Sequence, residues 1–175
     1  MVTLRDMIEL DIDDYVRWFT TDTNWSNWDA PWEEINTNEE EEKKNWLAYY
    51  RYVKELKDDE FRYKFEIVVN SKHIGWVSSY YDLGYLENKD HIIAIGIDIP
   101  EVEYRNHGYG TIAINKYLDY LRKLNHKKIF IQTWSGNIPM IKVIEKIGFT
   151  EYFRKKDYRI VNNKTYDAIT YILEL

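Results

Sequence analysis

The 175-residue chain contains no cysteine, three prolines and seven glycines, and none of its apolar runs is long. Without cysteine the protein forms no disulfide, binds no metal through thiolates and uses no thiolate nucleophile. Its apolar runs fall far short of the roughly 18 residues that a membrane span needs. The N-terminal segment also lacks a basic stretch followed by an apolar run, so no signal peptide is expected. These absences predict a cytoplasmic protein that contacts no membrane.

The charged residues are predominantly acidic. Lys and Arg number 24 and Asp and Glu number 30, so the net charge is -6 at pH 7. Such a protein is poorly suited to general nucleic-acid binding, because neutralising phosphates requires an excess of Lys and Arg. It is compatible with a cationic partner. Since no linker or internal repeat interrupts the chain, we expect a single domain over residues 1–175.

The hydrophobic pattern changes from helical to strand-like and back along the chain. Helices are predicted at Asp11–Thr20, Asn38–Lys57, Thr111–Leu124 and Asn137–Lys146. Strands are predicted at Val2–Arg5, Tyr63–Val69, His73–Tyr81, Ile92–Ile99, Lys128–Trp134, Thr150–Arg159 and Thr165–Glu174. Asp11 and Asp13 are the predicted N-caps of the first helix, and the Trp-rich segment Asn24–Ile35 is predicted to be a loop. This order predicts an α/β fold, with a mixed sheet that carries helices on both faces.

The most informative segment is Arg105–Thr111 (RNHGYGT), which joins an apolar strand to a helix. The first N–H groups of a helix have no internal partner, and the helix dipole is positive there. Gly108 and Gly110 allow these groups to converge and a phosphate to approach closely. The segment matches neither the P-loop nor the three-glycine dinucleotide fingerprint. The alternative is a loop that needs two glycines for its turn alone.

The pattern R-x-x-G-x-G after an apolar strand resembles the GNAT superfamily of acyl-CoA-dependent N-acyltransferases. A second segment agrees, since Ser135–Met140 (SGNIPM) leads to Glu145–Phe149 (EKIGF). This is similar to the family's second motif, in which an Asn opens a helix that ends in E-K-x-G-F. The resemblance covers nearly the whole chain and is strongest to the ribosomal-protein (Rim-type) N-acetyltransferases.

The resemblance implies acetyl-CoA as cosubstrate and a mostly antiparallel, twisted sheet with one splayed strand pair. The pyrophosphate would bind the loop that Arg105 opens, through the amides of Asn106, His107, Gly108, Tyr109, Gly110 and Thr111. The pantetheine arm would pair with the backbone near Ile97 and Ile99, on a strand that usually carries a bulge in this family. Asn137 would help to hold this arm, and a helix N-cap is the alternative role for its side chain.

The implied reaction is attack of an amine on a thioester, and the amine must be neutral. Deprotonation at pH 7 costs about 1.4 kcal/mol for an α-amine of pKa about 8 and about 4.6 kcal/mol for a lysine-like amine. Asp98, a lone carboxylate at the end of an apolar strand, is the candidate base, since burial raises such a pKa. The triplet Gly96-Ile97-Asp98 also resembles the position of a catalytic aspartate in some aminoglycoside N-acetyltransferases. The alternative is an Asp98 that caps the next turn or pairs with Arg105.

No proton donor for the leaving thiolate is present where the family has one. The positions that carry Tyr or Ser in related enzymes are Ile144 and Met140 in this sequence. The thiolate is then protonated from solvent or by a group that the sequence does not identify. The four histidines show no metal-ligand spacing, so no metal is expected.

The resemblance and the composition allow two kinds of amine acceptor. One is a protein N-terminus, as in the Rim-type branch, and the other is a small polycation such as an aminoglycoside or a polyamine. Residues after the first helix are expected either to shape its pocket or to pack beneath a loop: Trp25, Trp28, Trp32, Glu33 and Glu34. Two further hypotheses are a catalytically inactive acyl-CoA-binding module and a nucleotide-binding protein for ADP or NAD. Tyr80, Tyr81 and Tyr85 are candidates for a homodimer contact.

Overall fold

The computed structural model describes all 175 residues, which form one seven-stranded sheet with helices on both faces. The strands are β1 (Val2–Arg5), β2 (Lys64–Val69), β3 (Lys72–Tyr80), β4 (Ile93–Asp98), β5 (Lys128–Trp134), β6 (Thr150–Val161) and β7 (Lys164–Glu174). The helices are α1 (Asp11–Thr20), α2 (Ser26–Asp29), α3 (Glu39–Glu55), α4 (Tyr109–Lys123) and α5 (Ile138–Ile147). The strand order is β1-β2-β3-β4-β5-β7-β6, and β4 with β5 is the parallel pair. The predicted mixed, mostly antiparallel sheet is therefore confirmed.

Two hydrophobic clusters cover the two faces of the sheet. On one face, α4 and α5 pack against Ile95 and Ile97 of β4. On the other face, α1 and α3 surround Trp76 of β3. Because side chains alternate along a strand, Gly96 and Asp98 face the side of α1, opposite to α4. None of the five helices has both the length and the apolarity that crossing a membrane requires.

A buried polar network attaches α1 to the sheet and is centred on His73 of β3. The His73 ring places Nδ1 at 3.1 Å from the carboxylate of Asp14 and Nε2 at 3.0 Å from that of Glu66. Tyr15 donates a hydrogen bond of 2.6 Å to the same Glu66 carboxylate. Burial disfavours the charged imidazole, but the hydrogen bonds to Asp14 and Glu66 outweigh it and raise the pKa of His73. The network thus joins α1, β2 and β3 through charges removed from water.

Asp11 does not cap α1, which corrects the prediction from the sequence. Leu10 occupies the N-cap position, and neither Asp11 nor Asp13 makes a capping hydrogen bond. The Asp11 carboxylate instead accepts two hydrogen bonds from the Arg5 guanidinium, at 2.6 and 2.7 Å, and one from the backbone of Ile8. A buried bidentate ion pair is stronger than a neutral cap, and it pulls this carboxylate away from the helix amides.

The segment Asn24–Ile35, predicted to be a loop, contains a 3-10 turn at Thr23–Trp25 followed by the short helix α2. The indole of Trp25 donates a hydrogen bond of 2.8 Å to the carbonyl of Trp18 and packs against Trp76. A single helical turn has too few residues to show a hydrophobic period. The sequence pattern therefore did not reveal it.

The parallel strands β4 and β5 separate soon after they begin to pair. Their pairing covers Ile93–Ile95 of β4 and Ile129–Ile131 of β5. Beyond this point β4 continues to Asp98 and β5 continues to Trp134, each paired only with its antiparallel neighbour. We call the space between these unpaired ends the β4–β5 gap. It is the splayed strand pair that the sequence predicted.

The bulge expected in β4 lies in the neighbouring strand pair. The register between β2 and β3 shifts between Ile67 and Val68, whereas the β3–β4 register is continuous. Next to this shift, Gly75 passes so close to β4 that a Cβ atom would lie 2.0 Å from the carbonyl oxygen of Asp98. Only a residue without a side chain allows this approach.

A Gly75→Ala variant is expected to be less stable by about 1–3 kcal/mol, the usual cost of overpacking. Neither the β3 backbone at Gly75 nor the β4 backbone at Asp98 can move away without disturbing the β3–β4 pairing that positions Asp98. Denaturant unfolding measures the difference. The matched control is Gly110→Ala, whose Cβ would meet Ile97 and Ile99 at an ordinary 3.6 Å. Equal stability of the two variants would contradict the close approach.

The two edge strands of the sheet are short or irregular. β1 has four residues. β6 has twelve, but its register with β7 shifts twice, the second time between Lys155 and Arg159. Asp157 lies within that second shift and adopts a positive φ of 50°.

Candidate active site

The β4–β5 gap exposes backbone hydrogen-bonding groups of β4. Successive residues of a strand direct their amides to opposite edges. The Ser79 N–H donates to the Tyr63 carbonyl, so Ser79 directs its amide away from β4. Ser79 pairs with Ile95, which therefore directs its own amide away from β3, as does Ile97 two residues later. Ile97 therefore presents its N–H and C=O to the side of β5, where pairing has already ended at Ile95. This is the edge on which the sequence predicted the pantetheine arm.

Arg105 braces the turn between β4 and α4. Its Nε donates to the carbonyl of Ile99 at 2.7 Å and its Nη2 donates to that of Pro100 at 2.9 Å. The Ile99 carbonyl is thus occupied, while the Ile99 N–H has no acceptor. These bonds hold the guanidinium inside the turn, so the backbone that follows is the better anion-binding element.

That backbone is the loop Asn106–Thr111, and α4 begins inside it at Tyr109, two residues before the predicted start. The N–H groups of the whole loop have no acceptor within the protein, and no side chain caps the helix. Asn106 and Gly108 adopt positive φ values of 63° and 79°, a conformation that turns neighbouring N–H groups toward one side. The loop is exposed at Asn106, His107 and Gly108. Its geometry fits the predicted pyrophosphate site, and occupancy by a pyrophosphate stays a prediction.

Asn137 is the N-cap of α5. Its Oδ1 accepts a hydrogen bond from the Met140 backbone at 3.1 Å, and its Nδ2 donates to the Trp28 carbonyl at 2.7 Å. The indole of Trp134 donates to the same carbonyl at 2.8 Å. Both ends of the Asn137 amide are therefore engaged inside the protein. The predicted contact with pantetheine would require one of these bonds to be exchanged.

Asp98 lies at the end of β4, half-buried, on the face opposite to α4. Its carboxylate forms neither of the alternative contacts, because Arg105 binds Ile99 and Pro100 and no turn is capped by Asp98. Burial and the nearby Asp29 raise the pKa of Asp98 well above its usual value, although the charges of Lys64 and Arg105 act in the opposite direction. Such a carboxylate holds a proton more firmly than an ordinary aspartate, as a general base requires.

A cavity of about 350 Å³ adjoins Asp98, and we call it the acidic cavity. Its aromatic wall consists of Phe19, Trp25 and Trp76. Its carboxylates are Asp29, Glu33, Glu34 and Asp98, and no Lys, Arg or His lines it. Desolvation and the neighbouring Glu33 raise the pKa of Asp29. Unpaired carboxylates beside aromatic faces suit a cationic ligand.

Three of the five residues expected to shape an acceptor pocket lie in the acidic cavity, namely Trp25, Glu33 and Glu34. Trp28 is 45% exposed and contributes its carbonyl to the contacts described above. The ring of Trp32 packs against the Arg159 guanidinium at 4.2 Å. These two tryptophans hold the segment in place and do not line the cavity.

The two positions at which related enzymes carry a proton donor cannot supply one here. Ile144 is 0% exposed and belongs to the core, and Met140 packs against the same core. Two of the tyrosines considered for a dimer contact are also engaged within the protein. The Tyr85 hydroxyl lies 2.8 Å from that of Thr170, and Tyr80 packs on the sheet.

The fold brings together one group of side chains that could ligate a metal. Asp11, Asp14 and His73 place their ligand atoms within 4.8 Å of one another. Two guanidinium groups already balance these charges, since Arg5 binds Asp11 and Arg17 binds Asp14 at 2.9 Å. We therefore interpret this group as part of the structural network around His73 described above.

Sequence comparisons agree with this geometry. Residues 1–150 match the profile of the acetyltransferase (GNAT) domain. An uncharacterised N-acetyltransferase of Methanocaldococcus jannaschii is 28% identical over 114 residues, which are 62% of this chain and 47% of that protein. The chain thus spans about half the length of this relative.

Solved structures share the fold at low sequence identity. A ribosomal-protein-S5-alanine acetyltransferase from Vibrio fischeri has a TM-score of 0.71 at 21% identity, covering 99% of this chain and 92% of that one. A structure from Salmonella typhimurium, solved with its cofactor acetyl-CoA, has a TM-score of 0.70 at 15% identity and covers 100% and 94%. With the family profile matching most of the sequence, and the gap, the loop and the sheet order in place, the chain belongs to the GNAT acetyltransferase family.

Proposed function

We propose that this protein transfers the acetyl group of acetyl-CoA to a primary amine of a cationic acceptor. The free amides of Asn106–Thr111 and the unpaired edge at Ile97 support the donor side of this proposal. The observation that carries it is the position of Asp98, which ends the strand bordering the β4–β5 gap and also lines the acidic cavity. Donor and acceptor would meet at this carboxylate.

The chemistry follows from this arrangement without a covalent intermediate. Asp98 removes a proton from the ammonium form of the acceptor, and the nitrogen lone pair attacks the thioester carbonyl carbon. The C–N bond forms, the C–S bond breaks, and the electron pair leaves on sulfur. The nitrogen then releases its second proton to solvent, and solvent protonates the thiolate. Because the pKa of Asp98 is raised, it differs less from the pKa of the amine. This smaller difference lowers the free-energy cost of the proton transfer.

A protein N-terminus and a small polycation both present such an amine. The acidic cavity supports a cation in either case, because its carboxylates have no cationic side chain in the lining. Release of free CoA thiol, measured with an N-terminal peptide, a polyamine and an aminoglycoside, separates the two kinds of acceptor. Turnover of only one kind would eliminate the other.

The donor site is tested first by calorimetric titration with acetyl-CoA, CoA and ADP. Acetyl-CoA and CoA are expected to bind clearly more tightly than ADP, because the gap adds contacts for the pantetheine arm. Absence of binding, or equal binding of ADP, would refute the donor site.

A Gly108→Ala variant is expected to weaken acetyl-CoA binding, because a residue with a Cβ atom disfavours the left-handed backbone that aims the loop amides. The matched control is Gly84→Ala, since both glycines have a positive φ and open space around the added Cβ. Both substitutions should cost about 1–2 kcal/mol of stability. Calorimetry should show weaker acetyl-CoA binding for Gly108→Ala alone. Equal affinities in the two variants would contradict the role of the loop.

A second candidate function is acyl-CoA binding without catalysis. The observation that favours it is the burial of Ile144 and Met140 where related enzymes have a proton donor. It predicts tight acetyl-CoA binding and no thiol release with any amine.

A further inference from the structure

Tyr80 is the last residue of β3, and its side chain lies over β4, the strand that borders the β4–β5 gap. Its backbone pairs with Ala94 of β4. Its ring reaches along β4 until Cε1 lies 3.8 Å from the position that a Cβ atom would take on Gly96. Because Gly96 and Asp98 are on the same face of β4, the ring lies beside the carboxylate assigned as base.

The Tyr80 hydroxyl lies near the backbone of Gln132, just beyond the point where β4 and β5 separate. Burial, together with the carboxylates of Asp29 and Asp98, raises the pKa of Tyr80, and the backbone of Gln132 acts in the opposite direction. These groups belong to α2, β4 and β5. Gln132 directly follows Ile131, the last residue of β5 that pairs with β4.

This hydroxyl donates no hydrogen bond within the protein. The comparable tyrosines Tyr15, Tyr85 and Tyr117 each bond another side chain. Tyr80 is half-buried and lacks such a partner. The proton of this hydroxyl is therefore available to an acceptor atom on a ligand bound in the β4–β5 gap.

We propose that the Tyr80 hydroxyl is a catalytic hydrogen-bond donor to the acetyl thioester, an inference that rests on the proposed function. When the amine nitrogen bonds to the carbonyl carbon, negative charge develops on the thioester, and the pair of the C–S bond then leaves on sulfur. Asp98 holds the first proton of the ammonium group, and the second is released to solvent when the amide forms. Tyr80 stabilises the developing charge through its hydrogen bond and keeps its own proton throughout. Solvent protonates the released thiolate.

The test is a Tyr80→Phe variant, which keeps the ring over Gly96 and removes only the hydroxyl. We expect kcat to fall about 100-fold, as when one preorganised donor to a developing anion is removed. The acetyl-CoA affinity, the KM for the amine and the thermal stability should not change, because the hydroxyl donates to no group in the free protein. The matched control is Tyr85→Phe, which also removes a tyrosine hydroxyl from this side of the sheet and should retain its kcat.

Each other outcome overturns the inference in a distinguishable way. An unchanged kcat, or an effect confined to the KM for the amine, shows that the hydroxyl does not act on the thioester. Loss of stability together with acetyl-CoA affinity shows a packing role. A wild-type protein that binds acetyl-CoA without releasing thiol refutes the proposed function itself, and this inference with it.

Discussion

An Asp98→Asn variant is expected to lose a factor of about 10²–10⁴ in kcat/KM for the amine, the range for removal of a general base. The amide has nearly the same shape as the carboxylate but cannot accept the amine proton. Thiol release measures the loss, and calorimetry should show unchanged acetyl-CoA binding. Wild-type turnover of this variant across the pH range would eliminate Asp98 as the base.

The stability of the same variant provides the control. Because burial raises the pKa of Asp98 in the folded protein, its ionised form costs stability at every pH above the unfolded value of about 3.9. Removing the charge should therefore make Asp98→Asn at least as stable as the wild type at pH 7. Loss of activity in a protein that unfolds no more easily cannot be ascribed to misfolding.

The pH dependence of the wild-type rate follows with a definite sign. The base acts when it is ionised, so activity rises with pH through the Asp98 pKa, well above the pH at which an ordinary aspartate titrates. Asp29 raises this pKa, so Asp29→Asn should shift the acidic limb of the pH–rate profile to lower pH. Lys64, whose own pKa burial lowers to about 8, acts oppositely, so Lys64→Gln should shift the limb to higher pH. A limb that stays in place in both variants would argue against titration of Asp98.

A His73→Leu variant is expected to lose about 3–5 kcal/mol of stability, the usual cost of removing one partner from a buried charge network. Glu66 is 1% exposed and would keep only the Tyr15 hydroxyl as partner. Denaturant unfolding measures the loss, and Glu66→Gln tests the same network if the leucine variant does not fold. The neighbouring Lys72→Ala is the control, since its exposed pairs at 3.4 Å should contribute about 0–1 kcal/mol. A loss below that of the control would contradict the role of the network.

The network also fixes the pH range of maximal stability. The raised pKa of His73 contributes stability that is complete below the unfolded value of about 6.5 and is lost as pH rises through the folded pKa. Asp14 has a pKa lowered to about 2, so its contribution is present above about 4 and is lost as pH falls toward 2. Thermal unfolding should therefore show a decline at both ends, and His73→Leu should lack the alkaline one.

The sequence predicted the elements that depend on local patterns. The bounds of α1, β1 and β5 agree with the structure, because continuous periodicity defines them. Asn70 and Asn162 occupy the tight turns between β2 and β3 and between β6 and β7, both with positive φ, as short polar turns require. The prediction for Asp11 was wrong because its partner Arg5 outcompetes the helix amides, a contact that a capping rule does not consider.

The same distinction between local patterns and distant contacts applies to the candidate site. The loop Asn106–Thr111 and Asp98 stand out in the sequence because strand, glycines and carboxylate are adjacent. Tyr80 and His73 do not stand out, because their roles arise from residues on other strands and helices. Tyr80 in particular depends on Gly96 and Gln132, which approach it only when β3, β4 and β5 lie side by side.

The outer strands of the sheet determine how copies of this chain can meet. β1 is too short to pair stably with another strand. β6 carries two register shifts, with Arg154 and Lys155 between them and Lys156 inside the second. Bulged and charged edges resist the addition of a further strand. At high concentration the protein therefore offers no continuous edge from which a fibril or a strand-exchanged aggregate could grow. A homodimer of this chain has to bury a helical or sheet face, and its formation should leave the seven-stranded sheet unextended.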